Sequence, residues 1–401
     1  MASILIGRFG FNNAEVIEDV IQDTFYTALR LWGMKGIPEN PEAWLMKVAT
    51  NKTINELKKR GRHKELNKQF VPAFSEESEI VGAIDHQEKA IQLKALFGCC
   101  SPLLGVKAQI MLTLKLVCGF GDKEIASAFF MGSAAVRKAI YRSKITLKEH
   151  QNYFLELTDK DLQQRLPIVE MVLYLMFNEG YSTTNGEQEI NADLCFEAMR
   201  LTEWIIDDKV LCNASTHALF ALMLFQFARF EARVDAKGTP ISIEDQNREL
   251  WHKELIHRGL THQKLSRKTD TLSRFHIESG IASIHCTAST YADTDWERII
   301  DLYHHLLSFD DSIQVETGLA IALCEHGEVD KSLILLKKLE SKSSNQFSVL
   351  FAALGRVHTK IGELEKAKSY YTVAIEYSKT RFERAYLEEK LANLTLKSMP
   401  R

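Results

Sequence analysis

The sequence predicts an all-α chain, and three observations lead there. Apolar residues recur at three-to-four-residue spacing along most of the length, which is the period of a helix face. From about Gln151 onward no stretch shows a convincing strand. Near the end, two segments repeat with Gly327 and Gly362 offset by 35 residues, close to the period of a stacked helical hairpin. A length of 401 residues calls for two or three domains.

Taken in order, Met1–Phe11 reads as an apolar helix ending around Gly10. The stretch Ile17–Arg62 reads as two helices around a loop. The first carries an acidic and amide face, Glu18, Asp19, Gln22 and Asp23, opposite an apolar face of Val20, Ile21, Phe25, Ala28, Leu29 and Trp32. The loop Gly33–Asn40 holds two glycines and a proline in eight residues. Pro41 opens the second helix, where its missing N–H costs nothing. That helix buries Trp44, Leu45, Val48 and Leu57 and ends in the basic run Lys58, Lys59, Arg60, Arg62, His63 and Lys64.

This stretch resembles region 2 of bacterial sigma factors of the small extracytoplasmic-function group, in which a helix reading roughly AEDxxQDTFxxAL is followed by one reading roughly AWLxxxAxNxxxDxLRR. The matching residues are Glu18, Asp19, Gln22, Asp23, Thr24, Phe25, Ala28 and Leu29, then Ala43, Trp44, Leu45, Ala49, Asn51, Asn55, Leu57 and Arg60. The opening helix is short by comparison with that family. The resemblance implies that Glu18, Asp19, Gln22, Asp23 and Phe25 meet the beta-prime clamp of the RNA polymerase core. It also implies that the loop takes a base flipped from the promoter's minus-ten element, an unstacking that pocket contacts must repay. Asn40, Trp44, Asn51, Lys52 and Asn55 are the candidate contacts there. Lys58, Lys59, Arg60 and Arg62 are candidates for phosphates, which position a protein without reading sequence.

Residues 65–86 lose periodicity around the acidic, serine-containing SEESE and read as an exposed linker. In sigma factors the corresponding segment threads toward the polymerase active-site channel; a plain tether reads the same. Residues 87–149 form a second motif. Two helices, Gln87–Cys99 and Val106–Val117, precede a pair with helix-turn-helix proportions. Asp122–Phe130 is the first of that pair, with Ile125, Ala126 and Phe129 inward. Met131-Gly132 is the turn, Ser133 the N-cap, and Ala134–Leu147 the second helix, anchored by Val136 and Ile140. Arg137, Lys138, Tyr141, Arg142 and Lys144 lie on its other faces and, with Ser133, are candidates for DNA. The motif resembles region 4 of the same family, which reads the minus-thirty-five element and meets the beta flap of polymerase. It departs from that family's KRLxRAK pattern, reading Arg137-Lys138-Ala139-Ile140-Tyr141-Arg142-Ser143-Lys144, so promoter preference is expected to differ.

From residue 150 to 401 the chain reads as acidic and helical, resembling the C-terminal extension of one sigma-factor subgroup that is related to tetratricopeptide repeats. The segment Asn178-Glu179-Gly180-Tyr181 matches that extension's signature. By local chemistry it is a helix end with Gly180 as a left-handed cap, or a ligand site. The repeat is legible as Ala320, Leu323, Gly327, Ser332, Leu336 and Leu339, then Phe351, Leu354, Gly355, His358, Gly362, Ala367, Tyr371 and Ala374, with His358 where an aromatic is usual. Stacked units of this kind bury a continuous face and leave a concave surface, either structural or for a regulatory partner. The domains are thus 1–64, 65–86, 87–149 and 150–401.

Charge and composition agree with this division. Residues 1–150 hold 21 Lys+Arg against 16 Asp+Glu, and the remainder 29 against 37. A mildly basic front beside an acidic back fits a nucleic-acid-facing half joined to one that does not bind nucleic acid. No apolar run reaches the roughly 18–20 residues of a membrane helix, and no secretion signal is visible. Seven cysteines without regular spacing point to a reducing cytosol; Cys99 and Cys100 read as core. There is no phosphate loop, GxSxG, HExxH or CxxC, so an enzyme is not expected. His252, His257 and His262 fall at five-residue steps, which do not converge on a metal. A sigma factor of this kind needs no cofactor. The expectation is a cytoplasmic transcription initiation factor acting with polymerase core and promoter DNA. The alternative is a helical-repeat scaffold whose sigma-like front no longer initiates.

Overall fold

Helix α1 (Ala2–Phe9) stops at Gly10, whose φ of 84° lies in the left-handed region that glycine enters freely. The computed structural model describes residues 1–60, 81–150, 157–184, 189–236, 238–268, 271–342 and 347–397. Among these the only β feature is an isolated bridge between Val234 and Pro240; everything regular is helical. The chain divides into two compact units, Met1–Met176 and Phe177–Arg401.

In the first unit a short 3-10 turn, Phe11–Asn13, leads into α2 (Ala14–Lys35), followed by α3 (Pro41–Lys59), α4 (Val81–Cys99), α5 (Val106–Leu116), α6 (Asp122–Ala128) and α7 (Ser133–Glu149). Helix α8 (Asp159–Tyr181) begins in this unit, and its residues from Phe177 onward belong to the second. Pro41 stands in the first turn of α3, and the Asn40 side chain caps that helix by accepting the Ala43 N–H at 3.0 Å. The buried line of α2 is Val16, Ile17, Val20, Thr24 and Ala28. Thr24 is tolerated there because its hydroxyl donates to the Val20 carbonyl at 2.7 Å. Two expectations are corrected here. Phe25 and Leu29 are exposed rather than buried, because the helix turns the Val20–Thr24–Ala28 line inward and leaves them on the far side. Gly33 lies inside α2, and the loop starts only at Gly36, with φ 82°.

Helix α1 lies on α4, burying Leu5, Ile6 and Phe9. Gly7 permits this approach, since a Cβ there would sit 2.4 Å from the Ile91 carbonyl oxygen. The helix-turn-helix pair is α6 and α7. Phe130 closes α6 with φ 52°, its N–H bonding to Ser127 O and the Met131 N–H to Ala126 O. This close makes Gly132 the extended cap residue of α7, one position before Ser133, which is already helical; the Ser133 cap expected from sequence is therefore corrected. Phe130 is 63% exposed, so it contributes little packing to balance its strained backbone. Phe130→Gly is expected to stabilise the protein by about 0.5–1 kcal/mol, read as a higher urea midpoint at unchanged m-value.

The second unit continues through α9 (Ala192–Asp207), α10 (Ala214–Phe227), α11 (Lys253–Ser266), α12 (Arg274–Thr287), α13 (Trp296–Leu306), α14 (Ile313–His326), α15 (Val329–Lys342), α16 (Ser348–Lys360), α17 (Leu364–Glu376) and α18 (Arg381–Lys397). Gly180 is not a left-handed cap. It sits inside α8, where a Cβ would meet Cys195 Sγ at 2.7 Å and Asn191 O at 2.9 Å, so its role is close approach of α8 to α9. In the repeat, Gly327 and Gly362 both turn with positive φ, 98° and 80°. Ala320, Ser332, Leu336, Leu354, Ala367 and Ala374 are buried. Ser332 donates to Ala320 O at 2.6 Å, tying α15 to α14, and Ser348 donates to Ala374 O at 2.9 Å, tying α16 to α17. His358 keeps the aromatic role of its position by stacking on Tyr370, with centroids 5.3 Å apart.

His285 lies edge-on to Trp296 in the same unit. Burial, then Arg229 and Arg248, pull its pKa down to about 4. An unfolded chain takes up this proton near pH 6.5, so acid favours unfolding. The contribution is complete above pH 6.5 and is lost as pH falls toward 4. His285 is expected to contribute roughly 3 kcal/mol to the fall in stability across that range, beside a contribution from His262, whose pKa burial also lowers to about 4. His285→Gln should reduce the drop in the urea midpoint by the His285 share.

Candidate functional site

The two helices of the front hairpin are held in register by one lysine. Lys52 Nζ on α3 reaches Asp23 Oδ2 at 2.7 Å and Thr27 Oγ1 at 2.7 Å on α2. Trp32 and Trp44 pack across the same hairpin, with centroids 5.5 Å apart. Two sequence candidates for DNA, Lys52 and Trp44, thus also serve the hairpin itself, and Asn40 is engaged as the α3 cap. Asn51, Asn55, Lys58, Lys59 and Arg60 are exposed along α3, Arg60 and Lys59 flanking Glu56 at 3.3 and 3.6 Å. Arg62 lies outside the described residues.

The outward face of α2 is mixed. Asp19, Gln22 and Asp23 are exposed beside Phe25, Tyr26 and Leu29, at 48%, 66% and 77% exposure. Residues three and four apart are surface neighbours on a helix, so these apolar side chains form one patch with the acidic and amide groups beside it. Tyr26 was not singled out from sequence. The signal for it was there: α2 is apolar on two faces, and only one can meet α3.

On α7, Lys138, Tyr141 and Arg142 project into solvent, and Arg137 reaches Asp122 at 3.5 Å while staying mostly exposed. Ser133 is half-buried at the start of the helix. Lys144 departs from the group, because its Nζ lies 2.8 Å from both carboxylate oxygens of Glu18 on α2. A candidate DNA contact and a candidate polymerase contact are therefore paired with each other.

Cys99 and Cys100 are buried, and burial pushes both thiols up, Cys100 to about 12, so neither forms a thiolate near neutral pH. Cys100 contacts the Thr113 hydroxyl at 3.5 Å. These are core positions. Among the described residues no group of three or more His, Cys, Asp or Glu is placed to hold a metal ion. No helix among them is long and apolar enough to cross a membrane.

Comparison with known proteins finds two family matches along the chain. Residues 5–63 match the family model described as Sigma-70 region 2, covering the α2–α3 hairpin. Residues 165–267 match one described as a family of unknown function (DUF6596). Over 388 residues the chain is 30% identical to "Uncharacterized protein R00370" of Rhizobium meliloti (strain 1021), covering 96% of this chain and 91% of that protein. No solved structure matches.

Proposed function

The chain belongs to one family with the Rhizobium meliloti protein and carries a sigma-70 region 2 at its front, and from that premise we propose that it is a promoter-directing sigma factor of the extracytoplasmic-function kind. The observation that carries this reading is the coincidence of the region 2 match with a hairpin of two unlike surfaces. Helix α2 presents Asp19, Gln22, Phe25, Tyr26 and Leu29 to the polymerase clamp. Helix α3 presents Asn51, Asn55, Lys58, Lys59 and Arg60 to the minus-ten DNA. Helix α7 acts as the recognition helix at the minus-thirty-five element through Arg137, Lys138, Tyr141 and Arg142, with the beta flap as its polymerase contact. The helix pairs of the back half serve as a tetratricopeptide-like surface for a regulatory protein, and the chain works in the cytoplasm with its polymerase. Its work is binding, opening and positioning of DNA, without catalysis of its own.

One observation favours the second reading, a scaffold whose sigma-like front no longer initiates. Glu18 and Lys144 neutralise each other across the two proposed surfaces. Gel filtration of the full chain with polymerase core separates the readings. Co-elution supports the sigma factor, and separate elution at micromolar concentrations supports the scaffold.

A further inference from the structure

The second unit holds two half-buried arginines that lack carboxylate partners and have individual N–H groups sealed from solvent. Other half-buried arginines of this unit are neutralised directly, as two of them show. Arg356 meets Glu325 at 2.9 Å and Glu244 at 2.8 Å, and Arg274 meets Glu278 at 2.6 Å. Arg229 and Arg248 have no carboxylate within ion-pair distance among the described residues. They flank one ring instead. The Arg248 guanidinium lies 4.3 Å from the centre of Trp251, and that of Arg229 lies 5.9 Å from it.

Their hydrogen bonds are incomplete as well. Arg248 spends Nη1 on the carbonyls of His285 and Ala288, at 2.8 and 2.9 Å, and Arg229 spends Nη2 on the Tyr181 hydroxyl at 3.0 Å. Arg248 Nη2, Arg229 Nε and Trp251 Nε1 are buried donors with no partner in the protein. Trp251 is only 4% exposed, so its indole N–H has no route to bulk solvent. Buried donors left unpaired are costly, and unpaired buried cations more so. Charge and donors are in excess at one place, and an oxyanion supplies both deficits, through charge-assisted bonds that guanidinium groups make well.

We propose that Arg229, Arg248 and Trp251, with Tyr181 orienting Arg229, form a binding site for a small doubly charged oxyanion such as phosphate or a phosphate monoester. Two unpaired guanidinium charges match a dianion better than a carboxylate. The site gives a role to Tyr181 of the Asn178-Glu179-Gly180-Tyr181 signature, as the residue holding Arg229. Tyr181, Arg229, Arg248 and Trp251 all fall within the stretch matching the family of unknown function. The inference is independent of how the front half meets polymerase.

The test uses the full chain and inorganic phosphate, titrated at constant ionic strength in chloride and followed by thermal shift and ³¹P NMR line broadening. The expected result is a saturable rise in melting temperature with phosphate, absent with chloride and at least tenfold weaker with acetate. Arg229→Gln and Trp251→Phe are each expected to weaken phosphate binding tenfold or more. Trp251→Phe keeps an aromatic ring but removes the N–H together with the smaller ring of the indole, so its urea midpoint is read beside its affinity. Should Arg248→Gln fail to fold, these two variants still decide. Phenyl phosphate binding as well as phosphate assigns the site to monoesters, and phosphate alone assigns it to the free ion. No saturation would mean that only water meets these donors, and undiminished binding in both variants would place the anion elsewhere; either overturns the proposal. Equal binding of acetate overturns the dianion.

Discussion

Leu29→Asp is expected to abolish stable binding to RNA polymerase core while leaving the fold intact. Leu29 is 77% exposed in the free protein, so its replacement removes little buried surface, and surface changes of this kind usually stay within about 0.5 kcal/mol. In the proposed complex the same side chain, with Phe25 and Tyr26, is the apolar centre of the clamp contact. Central apolar anchors typically cost about 2 kcal/mol or more when lost, roughly a thirtyfold loss of affinity. Burying an unpaired carboxylate there adds to that. Fluorescence anisotropy with labelled core measures the affinity, and the urea midpoint checks the fold. Unchanged affinity would move the polymerase contact off this face of α2.

Gly7→Val is expected to have the largest effect on stability. A Cβ at this position would stand 2.4 Å from a backbone oxygen and 2.7 Å from Ile91 Cγ2. The backbone cannot yield as a side chain would, so α1 must move off α4. Overpacking at a helix contact costs about 1–3 kcal/mol, and more where backbone is hit. Denaturant unfolding measures it. The variant also tests whether α1, whose second half lies in the region 2 match, is structurally tied to α4.

Much of this architecture is legible in the sequence, for physical reasons that also mark where it stops. The 3.6-residue period exposes every helix of the hairpin, because burial of one stripe is what holds such helices. It does not say which stripe is buried when a helix is apolar on two sides, and so the period alone points Phe25 and Leu29 inward, where the structure exposes them. Proline and positive-φ glycines mark the ends of α1, α2 and the repeat hairpins, since their backbone preferences act locally. Gly180 and Gly7 carry no such local mark. Each is required by a backbone or side chain from another helix, Cys195 in one case and Ile91 in the other. Phe130 in a left-handed turn shifts the cap of α7 by one residue, which no propensity anticipates.

The candidate surfaces show the same division. Exposed basic residues of α3 and α7 follow from their type and helical position. The pairing of Lys52 with Asp23 and of Lys144 with Glu18 spans 29 and 126 residues, and depends on packing that periodicity does not encode. The arginine pair around Trp251 is likewise a product of the fold, with Arg229 following α10 and Arg248 in the segment that leads to α11.

The most direct measurement is run-off transcription with purified polymerase core on a promoter library, using the full chain. A sigma factor is expected to yield discrete transcripts that require the chain, share two spaced promoter elements, and disappear with Leu29→Asp. Transcription no different from core alone, with no binding of the chain to core, would contradict the proposed function and leave the helical scaffold in its place.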